Sequence, residues 1–305
     1  MPVATLPRLG FLGVGWIGRS RLEAIEHAGT GTVAAVADPA VDGALSSYEE
    51  LLDRELDGVV IATPSALHAE QAIAALELGL PVFVQKPVGR TAAEVRAVVA
   101  AAEAAGVPLG VDLSYRHAAA FVEAREQVRG GALGEVFAAE LRFDNAYGPD
   151  RSWSRDPALA GGGCVIDLGI HLVDLAVWTL DLAPREVRSR LVREPVETWA
   201  TAQLDDVRIA CSWNLHVGQD AVIEATFLGS DGSVRVANVD GSFYDFRCEL
   251  LRGSSRRTLV EPPDEWPGRA AVAWARRVAL GAGFDAAEGA ELVRVAEILD
   301  RVYGR

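Results

Sequence analysis

Cysteine is scarce in this chain, and the little there is makes no pattern. Cys164, Cys211 and Cys248 are odd in number, widely spaced and set in apolar sequence. They offer neither a disulfide framework nor CxxC or zinc spacing, and read as reduced, buried thiols of a cytoplasmic protein. Positive charge is also short: 29 Lys and Arg stand against 43 Asp and Glu in 305 residues, a formal net charge of −14. That balance argues against nucleic acid and anionic membranes as partners. It leaves room for an anionic ligand held by local arginines or a helix N-terminus. No uninterrupted apolar run approaches the roughly eighteen residues of a membrane span. The N-terminus MPVATLPRLGFLGVG has no basic segment before its apolar part and no cleavage site, so no secretory leader is expected. Internal repeats and low-complexity tracts are absent.

What is present falls into two halves of different period. Up to about residue 115, the apolar runs LGFLGV (9–14), TVAAVA (32–37), DGVVIAT (57–63), LPVFVQ (80–85) and VPLGVD (107–112) read as buried strands. They alternate with the helical stretches SRLEAIEHA (20–28), SYEELLD (47–53), ALHAEQAIAALELG (66–79) and AAEVRAVVAAAEAAG (92–106). Such alternation makes a parallel sheet covered on both faces. Thr91 followed by Glu94 offers the last helix a capping box. From about 185 the period becomes two, in EVRSRLV, TWATAQL, VRIACSW, AVIEATFL, SVRVAN and SFYDFRCELL, with turns such as LDDV (204–207) and GSDGS (229–233) between them. That predicts an antiparallel meander. A closing helix over about 286–302 carries Leu292, Val295, Ala296 and Leu299 on one face. The chain is long enough for two domains, a doubly wound one over 1–116 and a mainly antiparallel sheet domain over 117–305.

Gly13-Val14-Gly15-Trp16-Ile17-Gly18 stands where the first strand gives way to the first helix. Glycines there permit a tight turn, the approach of a pyrophosphate and close helix–sheet packing, and the helix N-terminus offers amide donors. The glycines alone fit a structural turn equally well. Asp38 ends the second strand 20 residues beyond Gly18, where an acidic residue takes ribose hydroxyls. A carboxylate at this position repels a 2′-phosphate, and Pro39-Ala40-Val41 supplies no arginine, so NAD is expected in preference to NADP. Only 19 residues separate Asp38 from Asp57, so the helix flanking the adenine side is expected to be shortened or lost.

GGGCVIDLGIHLVDLAVW (161–178) sets Asp167, His171 and Asp174 into an otherwise apolar helix. Asp167 lies four residues before His171, so the two share a face. An ordinary ion pair is the plain reading of that spacing. A metal site would need a third ligand that the sequence does not offer, and no metal is expected.

Together with the glycine fingerprint, TPSALH (63–68), QKP (85–87), SWSRDPALAGGG and GGGCVIDLGIH (161–171), and the Gly229–Gly232 turn resemble the glucose–fructose oxidoreductase / inositol dehydrogenase (Gfo/Idh/MocA) family over most of the chain. The resemblance implies an α/β Rossmann domain followed by an α+β domain with a mainly antiparallel open-faced sheet. It implies an NAD(P)-dependent oxidoreductase acting on a CH–OH or carbonyl carbon of a sugar, cyclitol or related polyhydroxylated substrate. The family's lysine motif carries over to Lys86 and its DxGxH motif to Asp167 and His171. Oxidising a secondary alcohol also removes a hydroxyl proton, and a positioned base contributes about 10² to 10⁴ in rate to such a step. His171 is the expected base, Lys86 the cation that stabilises the alkoxide and relays the proton, and Asp167 the group that orients the imidazole or binds a hydroxyl. Thr63, Pro64, His68, Gln85 and Lys86 join Gly13, Gly15, Trp16, Ile17, Gly18 and Asp38 around the cofactor, although His68 could simply begin its helix. Tyr115, Arg116, Asn145, Trp153 and Arg155 are candidates for substrate contact or for structure, and Asp174 extends the polar stripe or serves structure. The family's glutamate before the lysine is Gln85 here, which can hydrogen-bond a ribose but removes a negative charge beside Lys86. Relatives associate through the open sheet face, so a homo-oligomer is expected. Two other readings are a dinucleotide-binding regulator without turnover and a redox-assisted NAD-dependent glycosidase. Intact Lys86, Asp167 and His171 argue against the regulator.

Overall fold

The computed structural model describes residues 6–150, 152–193 and 195–305. Residues 1–5, where the segment expected to lack a leader begins, lie outside them. The chain divides into two compact units, one running to Ser114 and including Pro267–Val293, the other made of Tyr115–Trp266 and Arg294–Arg305.

In the first unit β1 (Arg8–Leu12), β2 (Thr32–Ala37), β3 (Gly58–Ile61), β4 (Val82–Val84) and β5 (Leu109–Val111) form a parallel sheet in the order β2-β1-β3-β4-β5. Helices α1 (Trp16–His27), α2 (Tyr48–Leu52), α3 (Ser65–Glu77) and α4 (Ala92–Ala105) connect the strands. Every residue of β3 and β4 is buried, which is why these runs are apolar without alternation. Strand order reverses between β1 and β3, and the crevice beyond their carboxyl ends is where doubly wound sheets hold ligands. Between β2 and β3 the only helix is the five-residue α2, capped by Ser47, and the expected loss of a flanking helix is what the chain shows. The capping box before α4 forms by half. Thr91 accepts the Glu94 amide at 3.2 Å, but the Glu94 carboxylate turns to the amide and guanidinium of Arg90.

The second unit contains α5 (Ala119–Arg129), β6 (Val136–Asn145), α6 (Pro157–Ala160), α7 (Ile170–Leu180), β7 (Val187–Arg193), β8 (Glu197–Leu204), β9 (Val207–Ser212), β10 (Ala221–Gly229), β11 (Ser233–Asn238), β12 (Phe246–Arg252) and β13 (Ser255–Val260). Its open sheet runs β13-β12-β11-β10-β6-β9-β8-β7 and is antiparallel except between β6 and β9. The expected meander is thus interrupted, because β6 sits between the consecutive strands β9 and β10. The helical stretch Pro157–Leu180 is, among the described residues, long and apolar enough to cross a membrane by length and composition alone, and most of it is buried inside the molecule.

Two further helices, α8 (Arg269–Ala279) and α9 (Ala286–Tyr303), follow the sheet. The expected second domain ran unbroken to 305, yet α8 belongs to the first unit. Its Trp274 packs 5.8 Å from Phe83, in a core with Leu9, Phe11, Ile25 and Val60. Gly110 is small because a Cβ there would stand 2.8 Å from the Trp274 ring. In α9, Leu292, Val295, Ala296 and Leu299 are buried on one face, as their spacing predicts.

Candidate active site

Each unit carries its own set of candidate residues. In the first, the turn from β1 into α1 holds three glycines with different reasons to be glycine. Gly13 is left-handed, at φ 81, and a Cβ on it would lie 2.8 Å from the Ala62 carbonyl oxygen. A Cβ on Gly18 would come within 2.1 Å of the Gly13 carbonyl oxygen, so this glycine allows α1 to pack on the turn. Gly15 has neither constraint: its φ of −58 suits any residue, and a Cβ would meet no protein atom within 4 Å. The space its missing side chain leaves lies at the N-terminus of α1, which has no side-chain cap and no acidic residue in its first turn. Open amides, the helix dipole and a clear approach fit a pyrophosphate. Trp16, 68% exposed, and half-buried Ile17 open the helix beside it.

Asp38 follows β2 and braces the same turn. Its Oδ2 accepts the Val14 amide at 2.8 Å and its Oδ1 the Ala40 amide at 2.9 Å. A carboxylate offers about four lone-pair sites, so hydroxyl donors can still be accommodated. Across the crevice Thr63 Oγ1 donates to Gln71 at 2.6 Å, and Pro64 opens α3. His68 lies beneath these loops rather than on their surface, being 1% exposed. Its Nδ1 is 2.7 Å from the Pro87 carbonyl oxygen and its Nε2 is 2.7 Å from that of Thr63. Burial pulls its pKa below the usual 6.5 and outweighs the two carbonyls, which favour the charged ring; the Lys86 charge pulls the same way as burial. Gln85 is buried and its amide donates inward to Asp112. Half-buried Lys86 therefore follows a residue anchored by its side chain and precedes one anchored by its carbonyl.

In the second unit the glycine run answers to packing. A Cβ on Gly162 would stand 2.0 Å from the Tyr303 hydroxyl, and one on Gly163 would stand 2.1 Å from the Glu197 carbonyl oxygen. Buried Glu197 Oε1 accepts the Gly163 amide at 2.7 Å, the Val165 amide at 3.1 Å and the Tyr303 hydroxyl at 2.6 Å. Tyr303 in turn accepts the Ile166 amide at 3.2 Å. These two residues satisfy the amides that begin the helix, and a wider π-type turn over Val165–Gly169 leads into α7.

From 162 to 177, only Asp167 and His171 escape full burial. Asp167 Oδ2 accepts the Trp213 indole N–H at 3.1 Å. The His171 ring meets Tyr115 edge-on at 4.9 Å and lies 6.5 Å from Phe143. Burial, then Tyr244 and Asp167, push the Tyr115 pKa up, so Tyr115 is a phenol that can donate. The structure thus brings Tyr115, Asp167 and His171 into one neighbourhood.

Asp174 is 1% exposed and leaves the stripe: both its oxygens accept Arg116 Nε at 3.0 Å, and Oδ1 accepts Nη2 at 2.6 Å. Arg116, a candidate for substrate contact or for structure, pairs with this buried carboxylate. Asn145 Oδ1 accepts the Tyr147 amide at 2.7 Å, which makes it a turn former at the end of β6. Half-buried Trp153 and exposed Arg155 share the short turn Ser152–Arg155, and the Arg155 guanidinium lies over Gly148. Sequence reasoning missed Arg21, Asp112, Glu197 and Tyr303. A charged residue ending the apolar run VPLGVD was a usable signal for Asp112; Glu197 and Tyr303 had none, since their partner lies far away in the chain.

The profile of an oxidoreductase family with an NAD-binding Rossmann fold matches residues 8–113, and that of the GFO/IDH/MocA C-terminal domain matches residues 121–235. The rhizopine catabolism protein MocA of Rhizobium meliloti is 30% identical over 216 residues, 67% of each chain. The dTDP-3,4-didehydro-2,6-dideoxy-alpha-D-glucose 3-reductase of Streptomyces violaceoruber is 31% identical over 277 residues, 85% of this chain and 80% of that protein. Two further curated relatives, a 1,5-anhydro-D-fructose reductase of Ensifer adhaerens and a D-apiose dehydrogenase of Paraburkholderia graminis, are matched over 43% and 59% of their own length. Among solved structures, KijD10, a 3-ketoreductase from Actinomadura kijaniata in complex with NADP and TDP-benzene, shares the fold with a TM-score of 0.85 at 21% identity over 98% of both chains. Some solved neighbours hold NADP and others NAD or NADH.

Proposed function

The chain belongs to the GFO/IDH/MocA family of oxidoreductases, and from that premise we propose that it transfers hydride at a secondary CH–OH or carbonyl carbon of a sugar, cyclitol or related polyhydroxylated molecule. The cofactor class is NAD(P), and NAD is the preferred member. The observation that carries this reading is the glycine turn, where Gly15 leaves a space that no protein atom needs and Asp38 braces the turn through the Val14 amide.

In this reading the α1 amides and the glycine turn hold the pyrophosphate, and Asp38 takes the ribose hydroxyls. When bound, the nicotinamide is the hydride acceptor or donor. The protein's own residues handle the proton and the charge. His171 takes the substrate hydroxyl proton at a ring nitrogen, or returns it in reduction, and Asp167 orients a hydroxyl or the imidazole. Lys86 stabilises the negative charge that develops on the oxygen. Tyr115 supplies a neutral hydrogen-bond donor beside His171. The reduced, buried state of Cys164, Cys211 and Cys248 suits a cytoplasmic enzyme, and we expect a homo-oligomer.

The test is a titration of the purified protein with NADH and with NADPH, followed by quenching of tryptophan fluorescence, for which exposed Trp16 is well placed. NADH is expected to bind at about micromolar Kd, near −8 kcal/mol, with NADPH weaker by about tenfold or more. A polyol and keto-sugar screen read by NADH absorbance follows, and K86A is expected to lower kcat by about 10² or more. Undiminished turnover in K86A would sink the assigned role of Lys86, and binding of neither nucleotide would sink the reading as a whole.

A further inference from the structure

Beside Lys86 lies a buried charge cluster that the proposed chemistry leaves unused. Asp112, directly after β5, is 2% exposed. Arg21 of α1 donates through Nε to its Oδ2 at 2.6 Å, Gln85 donates its amide to the same oxygen, and Ser114 donates its hydroxyl to Oδ1. Arg21 also reaches the Ser114 hydroxyl at 3.4 Å and the Ser20 hydroxyl at 3.3 Å. Arg21, Gln85, Asp112 and Ser114 are all buried. One guanidinium and one carboxylate balance here only because residue 85 is an amide. A glutamate in its place would have no N–H to give and would set a second carboxylate against Asp112, where burial makes like charges costly. Gln85 and Asp112 are therefore a matched pair. Gln85 is joined by a peptide bond to Lys86, the only lysine in the chain.

We propose that Asp112 is a positioning residue for Lys86: it fixes the Gln85 side chain, and through the Gln85–Lys86 peptide it fixes the direction in which the lysine leaves β4, while Arg21 balances its charge. The inference rests on the reading of Lys86 as the cation that stabilises the substrate oxygen. A cluster that merely pinned α1 to the sheet would affect stability in the same way but would leave Lys86 unmoved.

The lone lysine makes Lys86 directly observable. Reductive methylation with 13C-formaldehyde labels Lys86 and the amino terminus, and K86R identifies the Lys86 resonance by its loss. The variants are D112N, Q85E and the swap Q85E/D112N, each read by denaturation, by the Lys86 resonance and, on unlabelled protein, by kcat and KM. D112N and Q85E are expected to shift or broaden the resonance and to lower kcat by about tenfold or more with KM within about threefold. In the swap the new amide at position 112 can donate to the new carboxylate at position 85, and Arg21 keeps a carboxylate partner. The swap is therefore expected to recover both readouts beyond either single variant. Folded single variants with a wild-type resonance and kcat would overturn the proposal. Should the single variants fail to fold, the swap decides: recovered folding with a wild-type-like Lys86 resonance supports the matched pair, and failure to recover overturns it. Absence of turnover or NADH binding in the wild-type protein would count against the oxidoreductase reading instead, while the Lys86 resonance still decides the positioning.

Discussion

His68 shows how far a single residue can depart from the role its position suggests. It follows the TPSAL turn and reads as a cleft residue, but it is buried with a carbonyl oxygen 2.7 Å from each ring nitrogen. A neutral imidazole has one N–H, so it can donate to only one of the two carbonyls. Burial still keeps its pKa below 6.5 in the folded chain, whereas the unfolded chain binds the proton at that ordinary value. The folded state therefore binds fewer protons than the unfolded one as pH falls through 6.5. This contribution to stability is complete above that pH and is lost below it, by at most about 1.4 kcal/mol per pH unit. H68F lacks the titration, so its stability deficit against wild type is expected to shrink between about pH 7 and pH 5 in parallel urea denaturation series. A constant deficit would mean that His68 titrates alike in both states. The glycine turn with Gly13, Gly15, Gly18 and Asp38 could be picked out because its spacing is local, and Lys86, Asp167 and His171 because short motifs that resemble the family's contain them. For Arg116 the sequence left substrate contact and structure both open, because its partner Asp174 stands 58 residues away and no local pattern announces the pairing.

At the scale of the element, the helix that presents Asp167 and His171 owes its start to two distant side chains. Gly162 and Gly163 are small because Tyr303 and the Glu197 backbone occupy the space their side chains would take. G162A sets a methyl against the Tyr303 hydroxyl and is expected to cost about 1–3 kcal/mol. Y303F removes a hydroxyl that both donates to Glu197 and accepts from Ile166, and is expected to cost about 1–3 kcal/mol. Because both changes act at the same oxygen, the double variant G162A/Y303F is expected to cost less than the two separately, by at least about 0.5 kcal/mol. Strict additivity in denaturant titrations would show that the glycine and the hydroxyl do not share this space. The strand β6 belongs at this scale too. Its residues VFAAELRFDN went unread as a strand, although their burial alternates over much of its length, and the neighbours that define it, β9 and β10, come much later in the chain.

For the whole molecule, the first unit is completed by a segment that returns after the second sheet has been built. Trp274 of α8 is 2% exposed and fills the space left by Gly58 and Gly110 against Phe83. W274A is expected to lose about 3–5 kcal/mol by urea denaturation, the usual cost of deleting a buried tryptophan side chain. A loss below about 1 kcal/mol would mean that the core of this unit closes without it. By itself the sequence determined what short-range physics can encode: the parallel sheet from apolar runs and helical periods, the turn from β1 into α1 from its glycines, the shared face of Asp167 and His171 from their spacing, and the shortened connection after Asp38 from chain length. Only the tertiary structure decided which buried charges neutralise one another, why Gly162 and Gly163 are glycines, where β6 inserts and to which unit α8 belongs. Each of these depends on contact between residues far apart in the chain, which periodicity and spacing do not record. Burial then sets the energy of each contact, because a charge or a ring nitrogen withdrawn from water depends on the partner it meets there.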